Sequence, residues 1–211
     1  MLRYGKGWLR WKRLKIIKLD IPIGVYKHSD KYDKYTVQVI QGSFLNLSYN
    51  RFKLLNTKVK GVFAMKIAVG SDERTHLTDF VIDELKKKGL ELELHGPLAG
   101  ESIQWAEVAE KVAERVADGV CDQGILFCWT GTGVSMAANK VPGIRAALCT
   151  DAQTASGARK WNDANVLVMS LRLTSPIVAK EILEAWFNSS VEKEEIPNID
   201  RVKSIEKKYS R

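Results

Sequence analysis

The chain has 211 residues, 45% hydrophobic and 27% charged, which is the composition of a folded domain and excludes disordered, collagen-like and low-complexity classes. No apolar run approaches the ~20 residues of a membrane span, and three cysteines (Cys121, Cys128, Cys149) are too few and odd in number for a disulfide scaffold. A reducing cytoplasm is therefore expected. The formal charge of +8 is unevenly spread: residues 1–64 carry fourteen Lys and Arg against Asp20, Asp30 and Asp33, whereas residues 65–211 carry nineteen bases and twenty-two acids. The basic character belongs to the first segment and says nothing about the partners of the second.

Residues 1–64 hold five of the six tyrosines and the basic cluster WLRWKRLKIIK. They lack the apolar core and small-residue cleavage site of a signal peptide. VYKHSDKYDKYTVQVI predicts short strands, and no capped helical period is present. Three readings compete: a basic arm for RNA, DNA or anionic lipid; a structural segment packed on the main domain; or a poorly ordered or untranslated stretch, with the protein starting at Met65. The last is favoured, because Met65-Lys66-Ile67-Ala68-Val69-Gly70 opens the first clean strand and Glu appears only beyond it.

From Met65 strands and helices alternate. KIAVGS is a short apolar strand. Thr75 to Lys88 has helical period, with Leu77, Phe80, Val81 and Leu85 on one face and Gly89 at the stop. LELELH alternates strictly as a half-buried strand, and Gly96-Pro97 makes a turn. Ile103 to Asp118 predicts a helix with Trp105, Val108, Val112 and Val116 on its apolar face. GILFCW is apolar throughout, as in a strand buried on both faces, and runs into Thr130-Gly131-Thr132-Gly133 and a small-residue helix. IRAALC, a helix from Ala152 to Lys160, VLVMSL and a helix from Pro176 to Phe187 follow. The pattern implies a Rossmann-like, three-layer α/β sandwich with a five-stranded parallel sheet. The charged tail contains one further helix, from Ile199 to Tyr209, that can lie across a partner.

Ligands of such sheets bind at the carboxyl ends of the strands. Three loops lie there: Ser71 to Arg74, Cys128 to Gly133, and Cys149 to Asp151. The glycine-rich turn can cradle an anion with its backbone N–H groups, but Met136 breaks the dinucleotide fingerprint and there is no P-loop ending; a tight turn without a ligand is the alternative. Cys128 is either a buried inert thiol or a thiolate base, and its position does not decide between them. Asp72 and Glu73 can cap the following helix, Arg145, Arg159 and Arg172 can be solvated charges, and Trp129 and Trp161 are large apolar residues in loops, packing elements or pocket walls. His28, His76 and His95 lack metal-ligand spacing, so no metal site is expected.

CWTGTGVSMAANKVPGIRAALC, followed by NDANVL, makes residues 65–211 resemble the type B ribose-5-phosphate isomerase family, which includes galactose-6-phosphate isomerase subunits. Residues 1–64 have no counterpart in it. The resemblance implies an aldose–ketose isomerase of carbohydrate (pentose phosphate) metabolism, working through an enediolate without metal or organic cofactor. It divides the chain into a basic extension (1–64), an isomerase domain (65–190) and a charged tail (191–211) packing on a partner subunit. Cys128 then corresponds to the proton-moving base and Thr130 to its hydrogen-bonding neighbour. The backbone of Trp129, Gly131, Thr132 and Gly133, with Asn162, corresponds to the anion hole. Asp72 corresponds to a residue that binds substrate hydroxyls, with Glu73 beside it, and Arg172 and Arg201 to phosphate-holding arginines. Sites shared in a homodimer or tetramer are implied, with no membrane or nucleic-acid partner.

Departures from the family pattern bear on the substrate. Glu73, Trp129 and Trp161 replace a His, a Gly and the ring-opening His, and Pro197 and Asn198 stand where Arg and His align. Tryptophan cannot pass a proton to a ring oxygen. An open-chain or shorter sugar phosphate, such as a tetrose phosphate, is the alternative substrate. A non-catalytic sugar-phosphate-binding sensor or partner subunit is the rival function.

Overall fold

In a computed structural model of the chain, the residues described are 23–27, 35–39 and 64–209. They fall in two units, 1–62 and 63–211. In the first, β1 (Ile23–Lys27) pairs antiparallel with β2 (Tyr35–Val39), Val25 opposite Val37. These match the short strands expected there; the other readings of residues 1–64 lie outside the described residues.

The second unit contains β3 (Lys66–Ser71), α1 (His76–Lys87), β4 (Glu91–His95), α2 (Trp105–Ala117), β5 (Gln123–Cys128), α3 (Thr132–Ala138), β6 (Ala146–Leu148), α4 (Ala152–Asn162), β7 (Val166–Ser170), α5 (Pro176–Asn188) and α6 (Ile196–Tyr209). The five strands are parallel in the order β4-β3-β5-β7-β6. Side chains of a strand alternate between faces. Ile125 and Phe127 of β5, with Leu167 and Met169 of β7, therefore pack with α1, α4 and α5. Leu126 and Cys128, with Val166 and Val168, pack with α2 and α3. The expected three-layer α/β architecture is what the chain forms. Among the described residues no helix is long and apolar enough to cross a membrane.

Local details correct several expectations. The N-cap of α1 is Thr75, in a reciprocal capping box with Thr78, so Asp72 and Glu73 are not caps. Trp105 is the first residue of α2 and 44% exposed, rather than part of its buried face. Helix α4 runs two residues further than expected, which puts Trp161 and Asn162 on its last turn instead of in a loop. Arg145 and Arg159 are not free surface charges. Arg145 donates from Nε to the Asp163 carbonyl (2.7 Å) and pairs with its carboxylate (3.0 Å), and Arg159 bonds the Ala164 carbonyl and lies 5.4 Å from the Trp186 ring centre. The charged tail shares the unit of the core: Ile199 is buried, and the Gly143 N–H donates to Glu206 Oε1 (2.9 Å).

A charge network ties edge strand β4 to its neighbours. Glu93 accepts from Arg115 Nη2 (3.0 Å) and pairs with Lys66 (2.6 Å). The Arg115 guanidinium, helped by Lys66, holds the Glu93 carboxyl down at about 2 against burial, which pushes it up. A depressed carboxyl stabilises the fold above its unfolded value near 4.3 and loses that contribution as pH falls toward 2. Glu93→Gln is therefore expected to cost about 2 kcal/mol in urea unfolding at pH 7. The gap to the parent chain should close between pH 4 and 2, and a gap independent of pH would contradict the assignment.

Candidate active site

β3, β5 and β7 are adjacent, so the residues following them meet at one rim. Cys128 ends β5, 6% exposed, and its Sγ accepts the Gly131 N–H at 3.2 Å. The chain then turns through Trp129 and Thr130 into α3. Gly131 makes this possible with φ +79°, and a Cβ at that position would lie 2.4 Å from Leu148 Cδ1. Thr130 and Thr132 share a hydroxyl–hydroxyl hydrogen bond of 2.7 Å. Gly133 faces the Trp105 ring, 3.1 Å from where a Cβ would be. The first N–H groups of α3 have no intrahelical partner and are available to an anion.

The turn after β7 is bonded to this loop: the Leu171 N–H donates to the Cys128 carbonyl and the Arg172 N–H to the Trp129 carbonyl, both at 3.0 Å. Arg172 is thereby held beside the cysteine turn with its side chain exposed. On the other side Ser71 pairs with Phe127 across the β3–β5 ladder, which brings Asp72 level with Cys128. The Ser71 hydroxyl donates to the Glu73 carbonyl (2.6 Å) and accepts its N–H (3.2 Å), closing the turn that presents Asp72. Asp72 Oδ1 is buried without a hydrogen-bond partner among the described residues. Burial, aided by the neighbouring Glu73 charge, pushes its carboxyl up. An acceptor in that state is matched to a hydroxyl donor from outside the chain.

The rim thus gathers Cys128, Trp129, Thr130, Gly131, Thr132, Gly133, Asp72, Glu73 and Arg172. Trp161, Asn162 and Arg201 are not among them. Helix α4 leaves the carboxyl end of β6 and returns to the amino end of β7, so its last turn lies at the opposite end of the sheet. There Trp161 and Asn162 line a groove of about 340 Å³ with Arg145, Glu195, Asn198, Ile199 and Val202. The Trp161 indole packs over Gly157 and donates to Glu192 Oε2 at 3.2 Å. Arg201 lies on α6, the helix that supplies Ile199 and Val202 to this groove. Sequence reasoning missed Trp105 as a rim residue, because helical period alone counted it with the core.

A parallel α/β sheet carrying a thiol and a glycine turn at its rim is the setting of a small-molecule enzyme site. Residues 67–205 match the family described as Ribose/Galactose Isomerase, and the chain belongs to that family, whose members are aldose–ketose isomerases, intramolecular oxidoreductases. It is 40% identical over 126 residues to ribose-5-P isomerase B of Listeria innocua, covering 59% of this chain and 85% of the relative. It is 39% identical over 130 residues to D-erythrulose-4-phosphate isomerase of Pectobacterium atrosepticum, covering 61% and 86%. The solved ribose-5-phosphate isomerase B of Clostridium thermocellum superposes with a TM-score of 0.65 at 41% identity, over 69% of this chain and 100% of that one.

Proposed function

We propose that the protein interconverts an aldose phosphate and its ketose through an enediolate, with Cys128 as the base that carries the proton between C1 and C2. The Gly131 N–H at 3.2 Å from Sγ is the observation that carries this reading, since it fixes the sulfur at the glycine turn that opens α3. Thr130 and the backbone of residues 129–133 take the oxygen on which negative charge develops; preorganised donors act there without reorganising. Asp72 accepts from a substrate hydroxyl. Arg172 and Arg201 hold the phosphate, for which a guanidinium fork is suited. Proton transfer between neighbouring carbons needs a base and a stabilised oxyanion, and the rim supplies both, so the proposal includes no metal or organic cofactor.

Asn162, Trp161 and Arg201 stand away from Cys128 within one chain. The reading therefore includes a homo-oligomer in which the α4–α6 groove of one copy completes the rim of another. The exposed Ile196, Val202, Ile205 and Tyr209 of α6 support such a contact. A cytoplasmic location is part of the same proposal.

The substrate proposed is a short or open-chain sugar phosphate. Trp161 supplies no acid for opening a ring, and one relative acts on D-erythrulose 4-phosphate. Incubating the full chain in D2O with four-, five- and six-carbon sugar phosphates, and following exchange at C1 and C2 by NMR, tests it. Exchange with a tetrose phosphate and not with ribose 5-phosphate is expected. Exchange with ribose 5-phosphate alone would restore a pentose substrate, and none at all would leave a sugar-phosphate-binding protein. Trp161→His restores an imidazole and is expected to raise ribose 5-phosphate turnover at least about tenfold; an unchanged rate measured by ketose formation would remove this role for the tryptophan.

A further inference from the structure

Ser170 is the last residue of the otherwise apolar strand β7, directly across the ladder from Cys128, and is only 2% exposed. A hydroxyl withdrawn from water at that depth needs partners. It has two. Its Oγ donates to the Trp129 carbonyl at 2.8 Å and accepts from the Leu173 N–H at 3.2 Å. The same Trp129 carbonyl also takes the Arg172 N–H at 3.0 Å, so two donors from one turn hold a single acceptor.

The orientation of that carbonyl has a chemical consequence. The C=O of Trp129 and the N–H of Thr130 belong to one planar trans peptide unit and point in opposite directions. Holding the carbonyl against the turn after β7 turns the Thr130 N–H away from it. Among the described residues nothing accepts from that N–H.

We propose that Ser170 is a positioning residue: its hydroxyl locks the Trp129–Thr130 peptide so that the Thr130 N–H stays aimed at the enediolate oxygen, and ties that peptide to the turn bearing Arg172. The proposal rests on the reading of residues 129–133 as the donor set for the oxyanion. Alanine at 170 leaves the backbone bond from Arg172 in place, so phosphate binding persists, but it frees the peptide to rock. A donor aimed imperfectly at the moment of charge development costs rate rather than affinity; losing one donor outright typically costs 10²–10³.

The test uses the full chain, with D-erythrose 4-phosphate and D-ribose 5-phosphate as probes in the exchange assay, and thermal melts alongside. Ser170→Ala is expected to lower kcat by about tenfold to a hundredfold while KM stays within about twofold. Ser170→Thr, which keeps the hydroxyl, is expected to retain most of the rate. A folded Ser170→Ala protein with parental kcat would overturn the proposal, and so would a loss expressed mainly in KM. Should the alanine variant melt too early to assay, the Thr130 amide resonance of the parent decides. A shift on saturation with substrate supports the proposal, and an unmoved resonance overturns it. Failure of the underlying reading looks different: exchange that is absent from the parent chain removes the turn's role with Ser170 untouched and overturns this proposal with it.

Discussion

Cys128→Ala is expected to lower isotope exchange at C1 and C2 by about a thousandfold or more, while sugar-phosphate affinity changes by less than about threefold. Cys128 is 6% exposed and packs with α2 and α3, so removing its sulfur leaves a small gap rather than a hole in the core. The arginines proposed to hold the phosphate do not bond the sulfur, and among the described residues Gly131 supplies the one turn N–H that does. Titration calorimetry with a slowly turned-over sugar phosphate, alongside the NMR exchange assay, separates the two effects. Retained exchange would assign the base elsewhere, and a joint loss of exchange and affinity would make the thiol a binding group.

Gly131→Ala should damage both stability and rate. At φ +79° an L side chain costs about 1–2 kcal/mol, and the new Cβ would stand 2.4 Å from Leu148 Cδ1 and 3.5 Å from the Met169 backbone. Overpacking at such a site adds about 1–3 kcal/mol. Relief of the clash moves the turn, and with it the N–H that reaches Cys128 Sγ. Gly119 offers the comparison, since it has φ +69° with nothing within 4 Å of an added Cβ. Gly119→Ala is expected to lose only about 1 kcal/mol in urea unfolding and to keep its exchange rate. Gly131→Ala should lose about 3 kcal/mol and at least a hundredfold in rate. Equal effects at the two glycines would mean that backbone strain, and not crowding of the turn, decides.

The strands were legible because burial on both faces leaves a plain mark: every residue of β5 is buried, and GILFC reads as such without any structure. Helix stops were legible for a similar reason, Gly89 standing at φ +74° directly after Lys88, the C-cap of α1. Trp105 was misplaced because helical period counts a residue by angle alone, and the first turn of a helix lies at the layer's edge whatever its angle. From sequence Trp161 reads as a loop residue because apolar period fades where α4 passes into Asp163, which itself takes φ +48°. The rim residues Cys128, Asp72 and Arg172 could be named from sequence, but their meeting depends on β3, β5 and β7 being neighbours. No local pattern encodes that order. The link from Ser170 to Trp129 was invisible for the same reason, as was the separation of Asn162 from the turn.

Gly157 and Trp161 constrain each other. A Cβ at 157 would meet the indole at 2.6 Å, so a side chain there must displace the ring that donates to Glu192. Substitutions at the two positions are therefore coupled: a side chain at 157 meets the indole while Trp161 is present and not once residue 161 is small. The space that Gly157 leaves is filled by the ring from one helical turn away, so the glycine bears on the groove although it is not among the residues that line it.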